Sequence, residues 1–190
     1  MSTPREVLEF WFDPVAQAHW FKRDDAFDAR IRERFGATVE AAARGELDDW
    51  ASTPDGWLAL LIVLDQFTRN IYRDDARAWS ADTRAQAVAV TGIARGDDQR
   101  LPSQHRLFAY MPLEHAEDMT LQQHCVQLFE RLMAQLPEDR REHFQHFLDY
   151  ARRHHDVIDR FGRFPHRNEV LGRASTDAEQ AYLASPGSGF

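Results

Sequence analysis

Thr53-Pro54-Asp55-Gly56-Trp57-Leu58-Ala59-Leu60-Leu61-Ile62-Val63-Leu64-Asp65-Gln66-Phe67-Thr68-Arg69-Asn70 is the stretch on which the fold turns. Thr53 can accept a hydrogen bond from a free helix-end N–H, and Pro54 suits the first helical position. The body that follows, Trp57 to Leu64, is apolar on every face. Such a helix has to be covered by neighbours all round. At its end stand Asp65, Gln66, Arg69 and Asn70. Asp65 and Arg69 are four apart and can pair along one face, with Gln66 and Asn70 on the next. Polar groups at the end of a buried helix are costly unless partnered. Two readings follow: a buried ion pair that ends the helix, or a pocket lined by all four. Four polar groups exceed what one helix end needs, which favours the pocket.

The flanking segments supply the covering helices. Thr3-Pro4-Arg5-Glu6 has the form of a capping box and opens a short helix through Phe12. Asp24-Asp25 starts another, with Phe27, Ile31 and Phe35 at four-residue spacing. Its aromatic residues are read as core. Ser80-Ala81-Asp82 begins an Ala-rich helix that runs to Gly96, and Leu101-Pro102 one that Pro112 limits. Asp118 is the N-cap of an amphipathic helix that ends before Pro137. Glu138 to Phe161 is a long helix whose inner face is read as Phe144, Phe147, Leu148, Ala151, His155 and Ile158. His154 and His155 are adjacent, so at most one points inward. Thr176-Asp177-Ala178-Glu179 is a second capping box. No segment alternates with the period of a strand. The spacing predicts an all-α chain of about eight to ten helices: one helical domain over residues 1–184 and a flexible tail over 185–190.

Composition bounds the function. With 190 residues and 43% apolar content the chain can bury a core. The formal charge of −8 argues against general binding to nucleic acid or anionic membrane. Cys125 is the single cysteine, which suits a reducing compartment. No signal peptide is visible, and the longest apolar run is too short to span a bilayer. The expectation is a cytoplasmic protein.

Charge is reversed locally between Arg152 and Arg173, where six Arg and three His face three acids. Within it, Phe161-Gly162-Arg163-Phe164-Pro165-His166-Arg167-Asn168 closes a helix and turns. Gly162 suits a left-handed helix end, and Pro165 prevents continuation. The two Phe anchor a stiff loop that carries guanidinium and imidazole groups. Arg offers a flat fork of donors suited to carboxylate or phosphate. The bland alternative is that these groups lock a helix end through backbone carbonyls and internal acids. A third cluster, Glu114-His115-Ala116-Glu117-Asp118, places three acids around one His. Metal spacing is poor: His115 and Asp118 are three apart, Glu142 and His146 four apart, and neither is a recognised set. There is no Gly-rich phosphate loop, no GxSxG, HExxH or CxxC. No metal and no cofactor is expected.

The phrases FWF, WFKRDDAFD, LDQFTRNIYR, MPLEHAED, RFGRFPHRN and LGRASTDAE occur in this order along nearly the whole chain. Together they resemble the bacterial domain-of-unknown-function 924 family. The resemblance implies a tetratricopeptide-repeat-like array of antiparallel helix pairs, and it implies no activity. Members often have Pro where this chain has Thr68, and Ser where it has Ala116. The second departure leaves no hydroxyl nucleophile at that position.

Two function classes follow. In one, Asp65, Gln66, Arg69, Asn70, His115, Glu117, Arg160, Arg163, His166, Arg167 and Asn168 line a site for a small anionic molecule, with the two polar phrases meeting across it. That site could be catalytic, with His166 or His115 as general acid/base. In the other, the array binds a protein or peptide, as tetratricopeptide-like folds do, and the Arg/His cluster is structural.

Overall fold

The computed structural model describes residues 1–185. The expected tail, 185–190, lies outside the described residues apart from Ser185. Every regular element among the described residues is helical and none is a strand, as the sequence indicates. None of these helices is long and apolar enough to cross a membrane. The chain divides into two compact units, Met1–Pro112 and one that begins at Leu113, a division that the single-domain reading of 1–184 did not draw.

The first unit holds α1 (Pro4–Trp11), α2 (Pro14–Gln17), α3 (Asp25–Ala43), α4 (Pro54–Leu61), α5 (Thr68–Ile71), α6 (Asp82–Ala94) and most of α7 (Ser103–Glu114). The caps are those the sequence names. Thr3 accepts from Glu6 N–H while the Glu6 side chain accepts from Thr3 N–H. Asp24 caps α3 and Thr53 caps α4. Gly36 does not interrupt α3, which runs through it to Ala43. Pro112 lies inside the last turn of α7 and does not end it.

Every residue from Gly56 to Thr68 is buried, so α4 is the covered central helix that its composition demands. Each fully buried Leu, Ile or Val here contributes about 1.5–3 kcal/mol over its exposed state. Phe67 meets Trp11 edge to face at 5.6 Å and lies 4.8 Å from Phe35, ring centre to ring centre. Trp11 also meets Phe108 at 5.4 Å. The aromatic residues are core, as read. On another side of α4, Trp57 Nε1 donates to Val88 O of α6 at 2.8 Å. Gly92 of α6 lets the two helices meet: a Cβ on it would stand 2.2 Å from the Trp57 ring.

One feature of this helix has no counterpart in the sequence reading. Between α4 and α5, Ile62–Phe67 forms a π turn, so the helix widens and continues to Ile71. Asp65 and Gln66 therefore sit within the helix, not at its end. Side-chain donors reinforce the turn: Thr68 Oγ1 donates to Leu64 O at 2.9 Å, and Arg69 Nη1 to Asp65 O at 2.6 Å.

The second unit contains α8 (Met119–Gln135), α9 (Glu138–Phe161) and α10 (Asp177–Leu183). Asp118 caps α8, as read. Leu136-Pro137 alone joins α8 to α9, and the two helices pack against each other. The buried face of α9 is Phe144, Leu148, Ala151, His154, Val157 and Ile158. His154, not His155, points inward, because the face advances by three residues after Ala151 and then by four to Ile158. Gly162 ends α9 at φ 68°, and Phe164 returns to pack with Val157 and Ile158. The capping box at Thr176 opens α10, whose Tyr182 ring lies 5.2 Å from Phe161.

Candidate functional site

The turn after α7 is the hub of the second unit. Its residues Glu114, His115, Ala116 and Glu117 receive donors from three later segments. Gln122 of α8, fully buried, donates through Nε2 to Glu114 O at 2.6 Å and Ala116 O at 2.8 Å. Its Oε1 is buried with no hydrogen-bond partner among the described residues. Arg167 Nη2 donates to His115 O at 3.1 Å. The Glu117 carboxylate accepts Phe164 N–H at 2.8 Å and two bonds from Arg173, at 2.6 and 2.9 Å. Three successive carbonyls and one carboxylate are thus held, which pins the backbone of the turn.

Around this hub gather ionisable groups that burial would ordinarily exclude. Glu114 is 5% exposed, His154 3% and Arg167 6%. His154 Nδ1 lies 2.9 Å from Tyr150 O and 3.4 Å from Glu114 Oε1. The ring centres of His115 and His154 are 6.1 Å apart, and those of Phe164 and His166 5.7 Å. The Arg167 guanidinium lies over the Phe164 ring, 4.4 Å from its centre.

The electrostatics follow from these neighbours. Burial pushes His154 well below the ordinary imidazole range, and His115, Arg167 and His166 add to the effect against the Tyr150 carbonyl. His166 falls to about 4, again through burial first and then Arg167. Both rings are neutral at pH 7. Burial raises the Cys125 thiol, and Glu114 raises it further, so this sulfur stays protonated. Glu117 is held below its usual range: burial opposes this, but Arg173, the Phe164 N–H and Arg167 outweigh it. A neutral His166 ring at pH 7 has one nitrogen that accepts and one that donates a hydrogen bond.

Other residues of the C-terminal phrase have structural work. Arg163 donates to both oxygens of Glu179, at 2.6 and 2.8 Å, and to Ala174 O at 2.9 Å. It thereby ties the capping box of α10 to the end of α9. Asn168, 1% exposed, accepts from Arg173 at 2.9 Å and donates to Ser175 Oγ at 3.0 Å. Arg160 is exposed, with its guanidinium over the Phe161 ring.

The polar phrase of the first unit is also held by its own surroundings. Asp65, 1% exposed, pairs with Arg69 at 3.1 Å and accepts from Gln66 Nε2 at 2.6 Å. The pairing of Asp65 with Arg69 is the one read from their spacing. Arg69 reaches Asp82 as well, at 3.0 Å. Burial pulls its pKa down, but Asp65 and Asp82 together raise it. Asn70 donates to Asp28 at 2.7 Å, and Arg73 pairs with the same carboxylate.

Of the candidate residues, the second unit therefore brings together His115, Glu117, His166 and Arg167, joined by Glu114 and by two residues the sequence reading did not name for the site, His154 and Gln122. Glu114, His115 and His154 each offer a donor atom, and these three atoms lie within 4.8 Å of one another. Inward helical spacing on α9 was the available signal for His154. Nothing local marks Gln122, whose partners are backbone carbonyls.

An all-helical chain with a buried His–Glu–Arg cluster at a helix-following turn is the class these features define. The chain belongs to a family of bacterial proteins of unknown function, DUF924, whose profile matches residues 7–187. It is similar to the solved structure of a protein of unknown function, ATU0120, from Agrobacterium tumefaciens. The two share 38% identity with a TM-score of 0.85, over 95% of this chain and 96% of that one. No curated protein matches it.

Proposed function

We propose that the cluster of Glu114, His115, His154, His166 and Arg167 binds a small anionic molecule, a carboxylate or a phosphate. The observation that carries this reading is a buried guanidinium, that of Arg167, which donates to His115 O and lies over the Phe164 ring inside a chain of charge −8. A buried guanidinium favours an anion beside it, and ionisable groups gathered at one place are candidates for a functional site. Arg167, its plane set against Phe164, supplies the fork that such a ligand recognises. His115 and the neutral His166 are the groups that would move protons if a bound molecule reacts. This reading uses groups of the second unit alone.

Isothermal titration of the full chain with inorganic phosphate and with succinate tests it. The expected result is saturable binding of one anion per chain, weakened at least tenfold in Arg167→Gln. Native mass spectrometry of protein purified from cells should show the same site carrying a small acidic molecule. Failure of both anions to bind, with no molecule carried from cells, would overturn the reading.

A further inference from the structure

We propose that Glu114, His115 and His154 form a binding site for a divalent transition-metal ion, with zinc the best fit. The proposal shares its residues with the anion reading but goes beyond it, and either can fail alone. Two imidazoles and a carboxylate are the ligand set of three-coordinate zinc sites that keep a further position open. Donors about 2.1 Å from a tetrahedral ion sit about 3.4 Å apart. Each of the three residues here has a donor atom within 4.8 Å of those of the other two.

The supporting contacts have the form that metal ligands need. His154 Nδ1–H donates to Tyr150 O at 2.9 Å, with Glu114 Oε1 3.4 Å from the same nitrogen, which leaves the lone pair of Nε2 for an ion once the carboxylate turns toward it. A ring nitrogen bonded to a carbonyl is the usual way a metal-ligating His is held in its tautomer. Gln122 clamps the backbone on both sides of His115, at Glu114 O and Ala116 O. Adjacent residues of a helix cannot point to one place, but Glu114 closes α7 and His115 follows it, so here they can.

The charges nearby select the ion. Arg167, which donates to His115 O and lies over the Phe164 ring, is the nearby cation and disfavours an ion held by charge alone. Glu114 is the single carboxylate of the set. Oxygen-seeking ions such as magnesium or calcium would find too few carboxylates, whereas zinc gains most of its affinity from imidazole. With three protein ligands in place, Arg167 would then draw an anionic group toward the open position.

The test uses metal alone. Full-length protein is stripped with a chelator and titrated with cobalt(II) chloride in a buffer free of phosphate and carboxylate. Visible absorption bands should saturate at one ion per chain and vanish when zinc is added. His154→Gln and His115→Gln should each weaken binding at least tenfold, while the surface variant His146→Gln leaves it unchanged. Should a variant fail to fold by circular dichroism, zinc-edge X-ray absorption of the wild-type protein decides, with two imidazole ligands expected. No saturating bands, an unchanged isotherm in a folded His154→Gln, or a zinc spectrum without imidazole would overturn the proposal.

Discussion

His154 and His166 are neutral in the folded chain because burial and Arg167 make the imidazolium form costly. Unfolded, both would titrate near the ordinary 6.5. The unfolded state therefore binds more protons below that pH. Stability is full above 6.5 and falls as the pH drops toward 4. For His166 alone the loss approaches on the order of 3 kcal/mol well below pH 4. His105, also lowered by burial, adds to the same trend. Glu179, held down to about 2 by Arg163 and Thr176, loses its contribution only as the pH falls below 4.5. Urea titrations between about pH 6.5 and 5 thus isolate the histidines. His166→Asn should flatten the slope there, and an unchanged slope would count against its burial as the cause. A second residue-scale expectation concerns Asp65. Breaking a buried ion pair costs about 3–5 kcal/mol. Arg69 keeps Asp82, so Asp65→Ala should fall at the lower end, visible as a clear drop in Tm. A wild-type melting curve would sink the idea. The Asp65–Arg69 pair was legible because four-residue spacing is a local rule. His154 was misassigned because His154 and His155 both fit a helical stripe, and only packing of α9 against its neighbours selects between them.

Helix-to-helix contact puts opposite demands on two glycines. In a helix interior, Gly→Ala ordinarily gains about 0.5–1 kcal/mol. Gly36 in α3 has open space where a Cβ would go, so Gly36→Ala should stabilise by that amount. Gly92 in α6 has the Trp57 ring there instead, and overpacking of this kind costs about 1–3 kcal/mol. Gly92→Ala should therefore destabilise despite its better helix propensity. Denaturant midpoints of the two variants moving in the same direction would contradict the packing of α6 on α4. The caps at Thr3, Asp24, Thr53, Asp118 and Thr176 were readable because each is made by residues within one turn. The π turn at Ile62–Phe67 was not. Its sequence reads as a continuous apolar helix, and nothing local in it marks the widening.

At the scale of the whole molecule, the acidic charge gives a direct expectation. Filter binding with random DNA or RNA should show no submicromolar, salt-sensitive complex. Such a complex would mean that the Arg152–Arg173 segment acts as a free basic surface. The contacts above argue otherwise, since Arg163 and Arg173 each grip a glutamate. Composition and periodicity were enough for an all-helical chain, because they are sums over many residues. The division at Pro112 was hidden, since no linker composition marks it. The cluster was only half readable: its members come from 114–115, 154 and 166–167, and no sequence rule brings distant segments together.

Glu117 bonds to Phe164 N–H and to Arg173, partners 47 and 56 residues further along the chain. In kinetic terms this is a clasp that closes a long loop around the α8–α9 hairpin. The hairpin can form through near-neighbour contacts, but the clasp has to wait for a loop closure whose entropic cost rises with loop length. The groups that make up the site are therefore assembled late in folding. By the same token they are the first to be released in a partial opening. Native-state hydrogen exchange should find the Phe164 amide exchanging ahead of the central amides of α8 and α9, and Glu117→Gln should speed it while leaving the hairpin protected.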